Sequence, residues 1–168
     1  MRRASIGATF NFYRDGDGAA ARCLRLHTYL AALENAPFLL VGEAAGHRGA
    51  RVSGIPFTSE RQLTGRGPAE ATATIVRRTL AELGLEDRAL CWNVVPTHPH
   101  RPSRPDTNRP PTRAEIEASR PFVRELARGR KVVAVGRVAQ SALDAPYVRH
   151  PSHGGAQAFR EGLRRLLA

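Results

Sequence analysis

The chain has 168 residues, 42% of them hydrophobic, and a formal net charge of +11. That length sustains one domain whose core needs no staples, and the hydrophobic share excludes a disordered chain. No apolar run approaches membrane-spanning length, residues 1–30 lack a signal-peptide core, and two cysteines, Cys23 and Cys91, are too few for a disulfide framework or an Fe–S cluster.

The expected location is therefore the cytoplasm, with both cysteines as free thiols. The positive charge suits a polyanionic partner, because arginines neutralise phosphates and release counterions. Lys131 is the only lysine among 26 basic residues, a bias that genome composition also produces.

Residues 1–17 are polar, apart from Phe10, Phe12 and Tyr13, and read as an N-terminal arm. From Gly18 to Leu33, Cys23, Leu24, His27, Leu30 and Leu33 recur at helical spacing. Phe38 to Val41 is an apolar strand that breaks at Gly42, and a Gly-rich loop leads from there to Pro56-Phe57. Thr58-Ser59-Glu60 caps a short helix. Pro68 suits the first turn of another, with Ile75, Val76, Leu80 and Leu83 on one stripe and Gly84 at its end.

Arg88 to Val95 reads as a second strand, closed by Pro96. Prolines, histidines and arginines crowd residues 96–111, which predicts an extended surface loop. Thr112 to Glu115 is a capping box for a helix carrying Ile116, Phe122, Val123 and Leu126. Lys131 to Val135 is a third strand. Gly136 turns the chain into a short helix through Val138, Ala139 and Leu143, and Tyr147 to Arg149 forms a fourth strand. The last helix buries Phe159, Leu163, Leu166 and Leu167 and turns Arg160, Arg164 and Arg165 outward. Strands alternating with helices predict a single-domain α/β protein over 1–168: a three-layer α/β/α sandwich around a mostly parallel sheet of about four strands.

In a parallel sheet the carboxyl ends of the strands share one edge, where ligands bind. Gly42-Glu43, Asn93 and His150 stand at three such ends. Asn93 lies within an apolar run, and an unpaired buried amide costs about 1–3 kcal/mol. It either bonds to backbone or reads a ligand edge with its donor and acceptor. His150, before Pro151-Ser152, is either a packed histidine, with Ser152 capping the last helix, or a donor to developing negative charge. His98 and His100 have no acidic or Cys ligand close in sequence, so no metal site is expected.

This combination resembles the uracil-DNA glycosylase superfamily from Leu39 to Ala168. Gly42-Glu43-Ala44-Ala45-Gly46 is similar to the first superfamily motif in the GEAPG form of the thermostable iron–sulphur family. Asn93-Val94-Val95 with Asn108-Arg109-Pro110-Pro111-Thr112 parallels that family's middle region, Gly136-Arg137-Val138-Ala139 fits as a strand-to-helix turn, and His150-Pro151-Ser152 matches the third motif. The loop from Gly46 to Phe57, with its Ser-Gly-Ile-Pro-Phe ending, resembles the single-strand-selective monofunctional glycosylases. The chain departs from these families in three ways. The four cluster cysteines are missing, Ala44 stands where other members have a water-activating Asp or an Asn, and Gly154 stands where a Leu wedge enters the duplex.

The resemblance implies a monofunctional enzyme that flips uracil out of DNA and hydrolyses its glycosidic bond, acting as a monomer without cofactor or metal. Phe57 would stack on the base and Asn93 would bind its edge, with Gly42, Ala44 and Gly46 lining the pocket. His150 would stabilise the departing base and Glu43 would position water. Ser152, His153, Arg101, Arg104 and Arg109 would face the DNA backbone. Two other readings stay open: a glycosylase for hypoxanthine or xanthine, and a non-catalytic protein of this fold that binds damaged or single-stranded DNA.

Overall fold

The computed structural model describes residues 1–167, in the order β1 (Thr9–Phe10), α1 (Ala19–Ala32), β2 (Phe38–Ala44), α2 (Ala50–Ser53), α3 (Glu60–Thr64), α4 (Ala71–Glu82), β3 (Ala89–Val95), β4 (His98–Pro99), α5 (Arg113–Ala127), β5 (Lys131–Val135), α6 (Arg137–Leu143), β6 (Tyr147–Val148) and α7 (Ala156–Leu167). Four strands make a wholly parallel sheet in the order β3-β2-β5-β6, as the alternation of strands and helices predicts. Side chains alternate across the sheet. Leu39, Val41, Leu90, Trp92 and Ala134 face one layer with Leu26 and Leu33 of the α1 region, Val123 of α5 and Ala139 of α6. Leu40, Cys91, Val133 and Val135 face the other, with Val76 and Leu80 of α4 and Phe159, Leu163 and Leu167 of α7. This is a three-layer α/β/α sandwich. Among the described residues no helix is long and apolar enough to cross a membrane.

Several local expectations need correction. β2 does not stop at Gly42 but continues to Ala44, because Gly42 pairs with Asn93 and Ala44 with Val95. In α1, Leu24 is 67% exposed and His27 is exposed, while Leu26 is buried. The inner face is thus rotated toward Leu26 and Tyr29, whose hydroxyl accepts the backbone N–H of Cys91 at 2.7 Å and satisfies the edge of β3. α4 begins at Ala71, three residues past Pro68. Residues 96–111 are not wholly a surface loop. Thr97 and His98 are fully buried, and β4 pairs antiparallel with β1. α7 starts at Ala156, so Ser152 does not cap it.

The 96–112 segment is fixed over the carboxyl edge of the sheet by one side chain. All five N–H groups of Arg109 are engaged: Nε donates to the His100 carbonyl (2.9 Å), Nη1 to Pro110 O and Glu115 Oε2 (3.0 and 2.8 Å), and Nη2 to Ala8 O and Glu115 Oε1 (3.3 and 2.6 Å). Glu115, whose side chain is 2% exposed, also completes the capping box by accepting Thr112 N–H at 2.8 Å. One pair thereby ties the arm, the loop and α5 together.

Removing one partner of a buried pair leaves the other uncompensated, so Glu115→Ala should lower stability by about 3 kcal/mol in chemical denaturation. The Arg109 guanidinium holds the Glu115 carboxyl below the usual carboxylate range. Its stabilisation is therefore complete above the unfolded value of about 4.3 and lost as pH falls through the lower folded value. The acid limb of the stability–pH curve should flatten in the Ala variant.

Candidate active site

β2, β3 and the segment after β6 deliver their polar residues to one cleft of about 240 Å³. Its walls include Glu43, Ala44, Gly46, Phe57, Asn93 and His150, together with Arg109. Residues that lie 107 positions apart in sequence meet here because the strands are parallel and their carboxyl ends share an edge.

Gly42 is the backbone position on which this wall depends. A Cβ there would collide with Cζ of Phe57, and would lie 2.9 Å from Phe57 Cε2 and 3.1 Å from Asn93 Oδ1. Phe57 adopts φ +50°, an unusual conformation for a bulky residue, which persists only where the surroundings hold it. The loop supplies that support. Ser53 Oγ donates to Thr58 O at 2.6 Å and accepts Ile55 N–H at 3.1 Å, while Arg77 donates to Thr58 Oγ1 at 3.0 Å. Phe57 is thus both core and cleft wall, packed among Leu40, Val76 and Val135.

Asn93 is 5% exposed, and its side-chain amide makes no hydrogen bond among the described residues. The backbone-bonded alternative is therefore not the one the fold adopts, and the amide is left facing the cleft. Glu43 likewise has no hydrogen bond or ion pair to its carboxylate, and burial pushes its pKa up.

The protonation state of His150 follows from its neighbours. Ser152 N–H donates to Nδ1 at 3.2 Å, and the Ser152 hydroxyl lies 2.7 Å from the same atom. An Nδ1 that accepts a backbone N–H has no proton of its own, so the neutral ring carries its proton on Nε2. Burial, then His153 and Arg149, hold the His150 pKa down and favour that neutral form. Nε2–H has no acceptor among the described residues and is a free donor. Gly155 backs this turn, since a Cβ there would collide with the His150 carbonyl.

The remaining sequence candidates lie outside the cleft or have their donors committed. The Ser152 hydroxyl is engaged with His150, and His153 is exposed at φ +51°. Arg109 lines the cleft, but its donors are all occupied. Arg101 is exposed, and its guanidinium pairs with nothing among the described residues. Arg104 is exposed and meets Asp106 at 3.3 Å. His98 is structural: Nδ1 lies 2.8 Å from Ala45 O and Nε2 3.2 Å from Pro105 O. The described residues bring no three His, Cys, Asp or Glu side chains together as a metal site.

Sequence reasoning missed Glu70, Thr72 and Asn108, which also line the cleft. Asn108 Oδ1 accepts His47 N–H at 3.0 Å and pins the Gly-rich loop. Its place within Asn108-Arg109-Pro110-Pro111 was a usable signal. Glu70 belongs to no motif and reaches the cleft only through the packing of α4.

The family model of the Uracil DNA glycosylase superfamily matches residues 29–165. No curated protein sequence matches the chain. Among solved structures, the crystal structure of wild-type Pedobacter heparinus SMUG2 is similar, with a TM-score of 0.63 at 12% identity over 97% of this chain and 89% of that one. At that identity the likeness speaks for the fold. The family match spans every strand of the parallel sheet and all three motifs at its carboxyl edge, and the chain belongs to the uracil DNA glycosylase superfamily.

Proposed function

We propose that the protein is a monofunctional DNA glycosylase that removes uracil and leaves an abasic site. The observation that carries this reading is the unpartnered amide of buried Asn93, which lines one cleft with the Phe57 ring and with His150, whose Nε2–H is free. A nucleotide leaves the stack at a cost of a few kcal/mol, least in mispaired or single-stranded DNA. Phe57 covers one face of the base, and Asn93 offers a donor and an acceptor to its edge. The glycosidic bond then breaks, and its electron pair leaves with the base.

His150 donates Nε2–H to the oxygen on which that negative charge collects. A preorganised donor of this kind acts most strongly in a water-poor site. Glu43, as carboxylate, orients the water whose oxygen bonds to the sugar carbon and accepts the proton released. Ala44 has no polar side chain, so Glu43 takes this role. Arg101, exposed and unpaired, serves the DNA backbone, to which positioning contacts go without reading sequence. The enzyme works as a monomer, in the cytoplasm, without metal or cofactor.

Incubation with uracil-containing oligonucleotides, single- and double-stranded, should yield strand breaks only after alkali. No release from uracil, hypoxanthine or xanthine substrates would sink the reading, and salt-sensitive binding without release would favour the non-catalytic alternative. Asn93→Ala should slow single-turnover release about 30- to 150-fold, from the loss of about 2–3 kcal/mol of hydrogen bonding. His150→Ala should slow it about 100- to 1,000-fold, with DNA binding nearly unchanged in both. Because Glu43 must be ionised and its pKa is raised, activity should fall with acidification along a limb lying above the ordinary glutamate value. Rate–pH profiles should show that limb displaced or lost in Glu43→Gln.

A further inference from the structure

The cleft contains a second carboxylate that the reading above leaves without a role. Glu70 is the residue preceding α4, but its side chain does not cap the helix. Its backbone carbonyl instead accepts Thr74 N–H and Oγ1–H, at 3.0 and 3.1 Å. The side chain lies against the Gly-rich loop, in space that two glycines leave empty. A Cβ on Gly46 or Gly49 would collide with the carboxylate oxygens, and one on Gly49 would stand 2.7 Å from Cδ.

No hydrogen bond or ion pair reaches that carboxylate among the described residues. Partly buried glutamates elsewhere are paired: Glu60 with Arg25 at 2.7 Å, and Glu115 with Arg109 at 2.6 Å. The one guanidinium in the cleft, Arg109, has no donor left. A partly buried carboxyl without a protein partner loses hydration for no gain, and such groups cluster where ligands supply the missing partner. Burial also pushes the Glu70 pKa up.

We propose that Glu70 contacts the edge of the extruded base and sets which base the cleft accepts, an inference that rests on the glycosylase reading. The cleft around it presents Phe57, Ala44, Ala45, Ala50 and Gly46. Its other polar side chains are largely assigned: Asn108 Oδ1 holds His47 N–H, Arg109 is committed, and Glu43 and His150 act at the glycosidic bond, which leaves Thr72 beside Glu70. Asn93 supplies one donor–acceptor pair, which holds a carbonyl–N–H edge but does not distinguish uracil, hypoxanthine and xanthine, all of which present that edge. Discrimination of that kind comes from a second polar group, which a wrong edge leaves unpaired. Glu70 supplies that group from α4, independently of β3, and its carboxyl also fills the volume that a larger base would need.

The test measures single-turnover release of uracil, hypoxanthine and xanthine by the wild type, Glu70→Gln and Glu70→Ala, together with thermal midpoints. The isosteric E70Q should change the uracil-to-hypoxanthine rate ratio at least tenfold without lowering the midpoint, since it removes an unpaired, partly buried carboxyl. E70A, which opens the wall, should move the ratio at least tenfold toward the purine. Appearance of a base that the wild type ignores counts as such a change. Rates unchanged, or scaled by one common factor for all bases in both variants, would overturn the inference and leave the glycosylase reading standing. A wild type that releases none of the three bases would overturn both.

Discussion

The register of β2 against β3 is the constraint on which the molecule depends. Phe38 lies opposite Ala89, and four residues further along Gly42 falls opposite Asn93. Side chains alternate along a strand, so a slip of one residue would turn Asn93 away from the cleft and replace it with a neighbour of the opposite face. The same register leaves a position without a side chain where the Phe57 ring approaches the sheet. Gly42, Asn93 and Phe57 therefore form one geometric unit, built from two strands and a loop. The parallel arrangement then places His150, from a third strand end, beside them.

Unpaired polar side chains gather in the cleft, though they are not confined to it. Elsewhere, many buried or half-buried groups find partners, among them Tyr29 with Cys91 N–H, Ser53 with Thr58, Asn11 with the carbonyls of Met1 and Ala4, and Glu115 with Arg109. Trp92 Nε1, Arg51 Nε and His47 Nδ1, by contrast, are buried without one among the described residues. In the cleft, Asn93, Glu43 and Glu70 have none among the described residues, and His150 is hydrogen-bonded there at the nitrogen that fixes its tautomer. Leaving those groups unpaired is unfavourable for folding. The surrounding structure offsets it with a dense apolar core on both faces of the sheet and with a loop anchored by Arg109. The site is thus locally costly but held rigidly.

The arginines divide in a similar way. Net charge alone suggests a surface given over to phosphate, yet several half-buried arginines serve the fold itself. Arg22 donates to the carbonyls of Phe12, Asp15 and Asp17, and Arg130 to those of Ala36, Leu126 and Leu33. Arg109, the candidate nearest the cleft, has every donor committed. Residues such as Arg101, exposed and without an acidic partner among the described residues, are left for a polyanion, so the net charge of +11 does not say which arginines serve it.

The amino-acid sequence by itself determined the layers and the edge. Periodicity placed all four strands of the parallel sheet, the Thr112–Glu115 capping box named its helix start, and Gly42-Glu43, Asn93 and His150 were legible as strand-end residues. These signals are local, carried by spacings of two to four residues. What only the tertiary structure decided was partnership. Whether Asn93 bonds to backbone or stays free, which nitrogen of His150 bears the proton, that Arg109 is bound to Glu115, and that Glu70 enters the cleft all depend on atoms brought together from distant parts of the chain. The phase of α1 was misjudged for the same reason: Leu24 and Leu26 fit helical stripes equally well, and only packing against the sheet chooses between them. Spacing along a chain sets which way a side chain points from its own element. Which group it meets is set by how the elements pack, and the chemistry of this cleft lies in those meetings.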